Sequence, residues 1–338
     1  RDPQTMNGAA FRPRCGAQDF GKFSFAGLVA SSGGLDPSAL NETLTPWLAS
    51  LVARYDRFEA GDLNAFWKGC GGTAATFPLR LLAIVNRLDL HALAPNSCGE
   101  VRFVFGGYTK SSLADLFVIV ENTIHCDKVV GLQKWALAWK KLGAKPTLEN
   151  VLKLLEAANR STSATRIRTN LRIGQADWLF GEFVVAGQSI VANPLFQTPD
   201  ASQQNDKRLG ERVVEIARRG SFDRATYEPP ALQFRYTPHF QWLESLPSQH
   251  SDARYKFAIR TCVGCHGQET RDAPTTGVNH ITHREHGGRS TLSGFLTGTT
   301  HRTRQFHDLY RRYLFLQQAA EVKSPQDIRR LPAIWDSH

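Results

Sequence analysis

Two cysteines two residues apart, followed at once by a histidine, constrain this chain more than any other feature: Cys262-Val263-Gly264-Cys265-His266. Two thiols at that spacing on a helical turn can each add to one vinyl group of a haem. The next residue can then present its imidazole to the iron, which is the C-x-x-C-H attachment pattern of c-type haem. The stretch from Asp252 to Arg260 predicts a helix leading into the motif, and Gly267 lets the chain leave it without a side-chain clash. Two other readings compete. A thioredoxin-like dithiol requires a preceding strand in a βαβ unit, which the surrounding pattern does not supply. A zinc site could be completed by His280, His283 and His286. However, H-x-x-H is tighter than the usual zinc spacing, and zinc gives no reason for His266 to abut Cys265.

The second axial position must be filled from elsewhere in the chain. The only methionine is Met6, close to one end, so a Met ligand is not expected. Histidines remain: His280, His283, His286, His301, His307 and His338 after the motif, and His91, His125, His239 and His250 before it. His280 is the expected ligand. It lies 14 residues beyond His266, and Val278 and Ile281 flank it with apolar side chains suited to a haem pocket. An open distal position is the alternative.

Four cysteines are left over, Cys15, Cys70, Cys98 and Cys126. Their even number predicts two disulfides and an oxidising compartment, Cys98 with Cys126 and Cys15 with Cys70. No apolar run approaches the roughly 20 residues needed to cross a bilayer, so no transmembrane segment is expected. The first residues carry no signal-peptide pattern, and an exported chain would have lost its signal already. Lys and Arg exceed Asp and Glu by 10, a balance that attracts acidic proteins, anionic lipid or nucleic acid without choosing among them. No basic run is long enough to serve as a nucleic-acid arm. Arg302, Arg304, Arg311 and Arg312 follow the motif and can pair with haem propionates or stand in solvent.

Along the chain, a helix is expected over Asp36–Arg57, then strands over Leu79–Asn86, Glu100–Phe105 and Leu113–Asn122. Three strands in a row with little helix between them predict an antiparallel sheet. Helices are expected at Val130–Leu142, Thr147–Arg160 and Asp206–Arg219. A hairpin turning at Ala186-Gly187 joins two strands, and a proline-rich connector covers Tyr227–Pro247. Asn86-Arg87-Leu88-Asp89 ends a strand, where an Arg–Asp pair would fix the turn. Glu100 and Arg102 read as the polar face of their strand. There is no phosphate loop, Ser-His-Asp signature or paired-carboxylate motif in the sequence.

The haem segment resembles c-type cytochromes. The whole chain is also similar to a group of large exported bacterial mono-haem proteins. That similarity is carried by the stretches Phe77–Leu90, Cys98–Phe105, Leu171–Phe183, Cys262–Gly267, Val278–Ile281 and Leu292–Gly298. In that group a histidine matches His280, so the resemblance implies the same axial ligand.

The expected architecture is α+β, with an antiparallel-sheet body over 1–240 and a small α-helical, cytochrome c-like module over 241–338. The expected function is electron transfer by one covalent haem c, held by Cys262 and Cys265 and ligated by His266 and His280. The expected location is the periplasm or cell surface, with an acidic redox partner. Alternatives are a peroxidase- or oxygenase-type haem enzyme with an open distal site, and a haem-bearing surface protein that forms homo-oligomers or filaments.

Overall fold

A computed structural model describes residues 24–36, 39–58, 62–93, 96–109, 113–127, 129–144, 146–159, 162–173, 177–193, 206–219, 235–237, 253, 281, 292–301 and 304–331. The helix expected before the haem motif lies outside these residues, save Ala253, as does most of the expected proline-rich connector.

The sheet is an antiparallel meander of β1 (Leu79–Arg87), β2 (Ser97–Tyr108), β3 (Leu113–His125), β4 (Thr162–Ile173), β5 (Asp177–Ala186) and β6 (Ser189–Asn193). A short β7 (Arg235–Thr237) adds to β5. The α+β class and its antiparallel sheet are as expected. Each strand alternates its side chains between two faces, and the two faces differ in chemistry. On the first, Val101, Phe103 and Phe105 of β2, Leu116, Val118 and Val120 of β3, and Ile167 and Leu171 of β4 form the main core. Helices α1 (Phe25–Gly33), α2 (Leu40–Phe58), α4 (Val130–Ala144) and α5 (Leu148–Asn159) contribute to that core, and α3 (Leu63–Gly69) adds Leu63 and Trp67. Each fully buried Leu or Phe here contributes about 1.5–3 kcal/mol relative to exposure.

The second face carries a smaller core. There Val104, Phe117 and Phe180 meet Leu209, Val213 and Ala217 of α6 (Lys207–Arg219), with Ala253. Those three α6 residues recur every fourth position, the spacing that aligns them on one helical stripe. Beyond residue 253, the described segments are α7 (Gly294–Thr297), the hairpin β8 (Thr299–His301) with β9 (Arg304–Phe306), α8 (Asp308–Ala319) and α9 (Pro325–Arg330). Helix α8 packs on α4, and its Phe315 and Ala319 join the main core. Among the described residues no helix is long and apolar enough to cross a membrane.

Cys98 and Cys126 form a disulfide with 5.8 Å between their Cα atoms, as their positions at the paired ends of β2 and β3 predict. Cys70 is also disulfide-bonded; Cys15, its expected partner, lies outside the described residues. The Cys98–Cys126 bridge closes a chain separation of 28 residues, for which loop-closure entropy gives about 3.6 kcal/mol. Replacing both cysteines with Ala should lower the unfolding free energy by about that amount in urea titration. An unchanged midpoint would show that the bridge adds nothing.

Candidate functional site: a charged and apolar cavity beneath α8

Cross-strand register builds the site. A bulge in β1 between Leu81 and Ala83 shifts the phase of that strand. Ala83, Val85 and Arg87 thereby come to face the same side as their β2 partners Val104, Arg102 and Glu100. Arg102 then lies opposite Glu121 of β3, Glu121 opposite Arg166 of β4, and Arg168 opposite Glu182 of β5. Opposite charges placed directly across strands attract. Here they form a continuous band over five strands. Beside it runs an apolar band of Val104, Ile119, Phe117 and Phe180.

The charged band is buried. Arg102 Nε lies 3.2 Å from Glu121 Oε1, Arg168 Nε lies 3.3 Å from the same oxygen, and Arg166 Nε lies 3.5 Å from Oε2. Arg102 also donates from Nε and Nη2 to Glu100 Oε2, at 3.1 and 2.9 Å. Arg168 reaches Glu182 at 3.3 Å, and the amide of Asn193 donates to that carboxylate. Glu100 and Arg102 form the polar face expected of their strand, but they are only 4% and 7% exposed. Their face is polar, but a second layer of chain covers it. Burial alone would push the Glu121 carboxyl up; Arg102, Arg168 and Arg166 outweigh it and hold it at about 2.

At the end of β1, Arg87 donates from Nε to both oxygens of Asp89 at 3.0 Å, and from Nη2 to Oδ2 at 2.7 Å. Arg87 is fully buried. Burial works against its charge, and Asp89 more than compensates, so the guanidinium is held more firmly protonated than usual. Burial likewise raises Asp89, but Arg87 and then Arg312 outweigh it and leave the carboxyl below its usual range. The pair fixes the strand-to-turn junction, as the sequence suggests. Gly99, at a φ of 93°, lies across from it, and a Cβ there would collide with the Arg87 carbonyl.

A cavity of about 450 Å³ lies over both bands. Arg102, Glu121 and Arg168 form the charged part of its floor, with Val104, Phe117, Ile119 and Phe180 beside them. The opposite wall comes from Ile281, Leu292, Leu296 and α8, which contributes Leu309, Arg312, Tyr313, Phe315 and Leu316. Arg312 is itself held by Asp308, at 2.6 Å. Ile281 and Leu292 are joined by an antiparallel bridge, which fixes the chain where it enters the wall.

Cys262, Cys265, His266 and His280 all lie outside the described residues, as do His283 and His286. Ile281, next in the chain to His280, is described and lines the cavity. His91 is buried with its ring 5.4 Å from that of Phe315. His307 is exposed and stacks on Tyr310 at 5.3 Å. Among the described residues no group of three or more His, Cys, Asp or Glu side chains is arranged to hold a metal ion. Sequence reasoning missed the cavity itself. The available signal was charge at alternate positions in neighbouring strands, Glu100 with Arg102 and Arg166 with Arg168.

No protein-family model, curated protein sequence or solved structure matches this chain significantly.

Proposed function

We propose that the chain is an exported mono-haem c-type cytochrome that transfers electrons, with Cys262 and Cys265 attaching the haem and His266 and His280 as its axial ligands. The observation that carries this reading is the C-x-x-C-H sequence at 262–266. The Cys98–Cys126 disulfide supports an oxidising location.

Bound haem supplies a one-electron Fe(III)/Fe(II) couple. The protein's part is to hold the iron's axial imidazoles, exclude water from the ring and set the surrounding charge, the levers that fix a haem potential. The excess of 10 basic side chains supports an acidic redox partner, attracted at long range and released at higher salt. The small helical haem module and the periplasmic or surface location belong to the same proposal.

Purified protein, denatured and freed of non-covalent ligands, should retain haem absorption and a mass increase of one haem. Alkylatable thiols at Cys262 and Cys265 together with bound zinc would reject the reading. A haem that is high-spin in the untreated protein and binds carbon monoxide at once would favour the enzyme alternative.

A further inference from the structure

Electron transfer by a small helical module makes no use of the cavity beneath α8. Among the described residues its wall carries no histidine to ligate an iron, and its arginines are already held by carboxylates. We propose that the cavity is a binding site for an uncharged aromatic small molecule. This assignment is independent of the cytochrome reading. Three observations carry it.

The first is charge. Arg102 is held by Glu100 and Glu121, Arg168 by Glu121 and Glu182, and Arg312 by Asp308. Asp89 is likewise paired with Arg87. An ionic guest would lose its hydration here and find every counter-charge already engaged, a cost that a neutral ring avoids. The second is the lining. Phe117, Trp139, Phe180, Tyr313 and Phe315 bring five aromatic rings to one space, and such rings gain from offset or edge contact with another ring. Asn86 and Asn170 are the neutral amides on the wall. They can exchange a hydrogen bond with a hydroxyl or carbonyl of the guest without any charge. The third is access. Leu292, Leu309 and Tyr313 line the cavity, yet they are 43%, 39% and 53% exposed. They form an apolar rim that a guest can cross from solvent. The volume of about 450 Å³ falls in the ~300–1,000 Å³ range of small-molecule sites.

The test titrates the full chain at neutral pH with three probes built on one two-ring frame: 2-naphthol, which is uncharged, 2-naphthoate, an anion, and 2-naphthylmethylammonium, a cation. 2-Naphthol should bind saturably, one per chain, and each ion should bind at least about tenfold more weakly, because its charge would be buried unpaired. No saturable binding of 2-naphthol, or an affinity for either ion that equals it, would overturn the assignment. Ala83→Phe enlarges a half-buried side chain of β1 on the cavity wall. It should weaken 2-naphthol binding by about tenfold or more, since the added ring occupies the guest's space. Unchanged affinity in a folded Ala83→Phe protein would place the probe elsewhere and overturn the assignment. Should that variant fail to fold, wild-type crystals soaked in 6-bromo-2-naphthol answer the same question. A bromine anomalous peak between Ile119 and Leu296 supports the site, and a peak only outside the cavity overturns it. The haem content of the same samples, read by mass, bears on the cytochrome reading alone.

Discussion

Glu121→Gln should lower the unfolding free energy by about 3–5 kcal/mol, the range for removing one partner from a buried ion pair. Glu121 is fully buried and approached by three guanidiniums, so its neutral replacement leaves Arg102, Arg166 and Arg168 with an uncompensated charge beneath the cavity. Urea titration reads the loss. The pH dependence makes the test specific. The folded-state value of about 2 lies below the ordinary 4.5. The contribution of this carboxylate is therefore fully present above pH 4.5 and lost as pH falls through 2. Wild type should lose stability steeply across that window, and Glu121→Gln should give a shallower slope there. Asp89, also held low, contributes to both proteins equally. Parallel slopes would mean that Glu121 is not the anchor of the array.

The second large effect concerns the iron. The wild-type ferric protein should be six-coordinate and low-spin, and His280→Ala should convert it to a high-spin form that binds cyanide or carbon monoxide readily. The motive is the lack of any methionine but Met6, the apolar neighbours Val278 and Ile281, and the short connection from His266. Ile281 is pinned by its bridge to Leu292, so the chain beside His280 has a fixed place in the wall. Optical and electron-paramagnetic spectra of the two proteins decide the matter. An unchanged low-spin spectrum would exclude His280 and direct attention to His283, His286, His301 or His307, and to His91, which touches the cavity residue Phe315.

Much of the fold was legible because hydrophobic periodicity is a local property. β1, β2, β3, α4, α5 and α6 each fall within a few residues of where their apolar spacing puts them. The Cys98–Cys126 pair followed from the ends of two neighbouring strands. β4 was harder to see. Its Arg166 and Arg168 alternate with Ile167 and Leu171, and arginine in a strand suggests a solvated edge unless a neighbouring carboxylate is known to meet it. Glu121 and Glu182 come from β3 and β5, and only register brings them opposite. The same non-local pairing hid the cavity. Val104 and Phe180 look like ordinary core residues in one dimension, and nothing in the local pattern near Leu296 or Phe315 says that they stand across from them. The Cys262–His266 motif is the reverse case: the haem proposal rests on five adjacent residues and on no tertiary contact.

The closing of the cavity also imposes an order on synthesis and folding. Its charged floor is complete once β5 has emerged, yet α8, which covers it, begins only at Asp308, far along the chain from the end of β5 at Ala186. Contacts so distant along the chain form slowly. Until they form, Arg102, Glu121 and Arg168 remain wetted and their attraction is weak. A newly made chain can therefore hold, for an interval, a folded sheet whose charged face is still hydrated. Docking of α8 would end that interval. A chain cleaved before Asp308 would never pass it, and its persistently hydrated strand face would mark it for proteolysis.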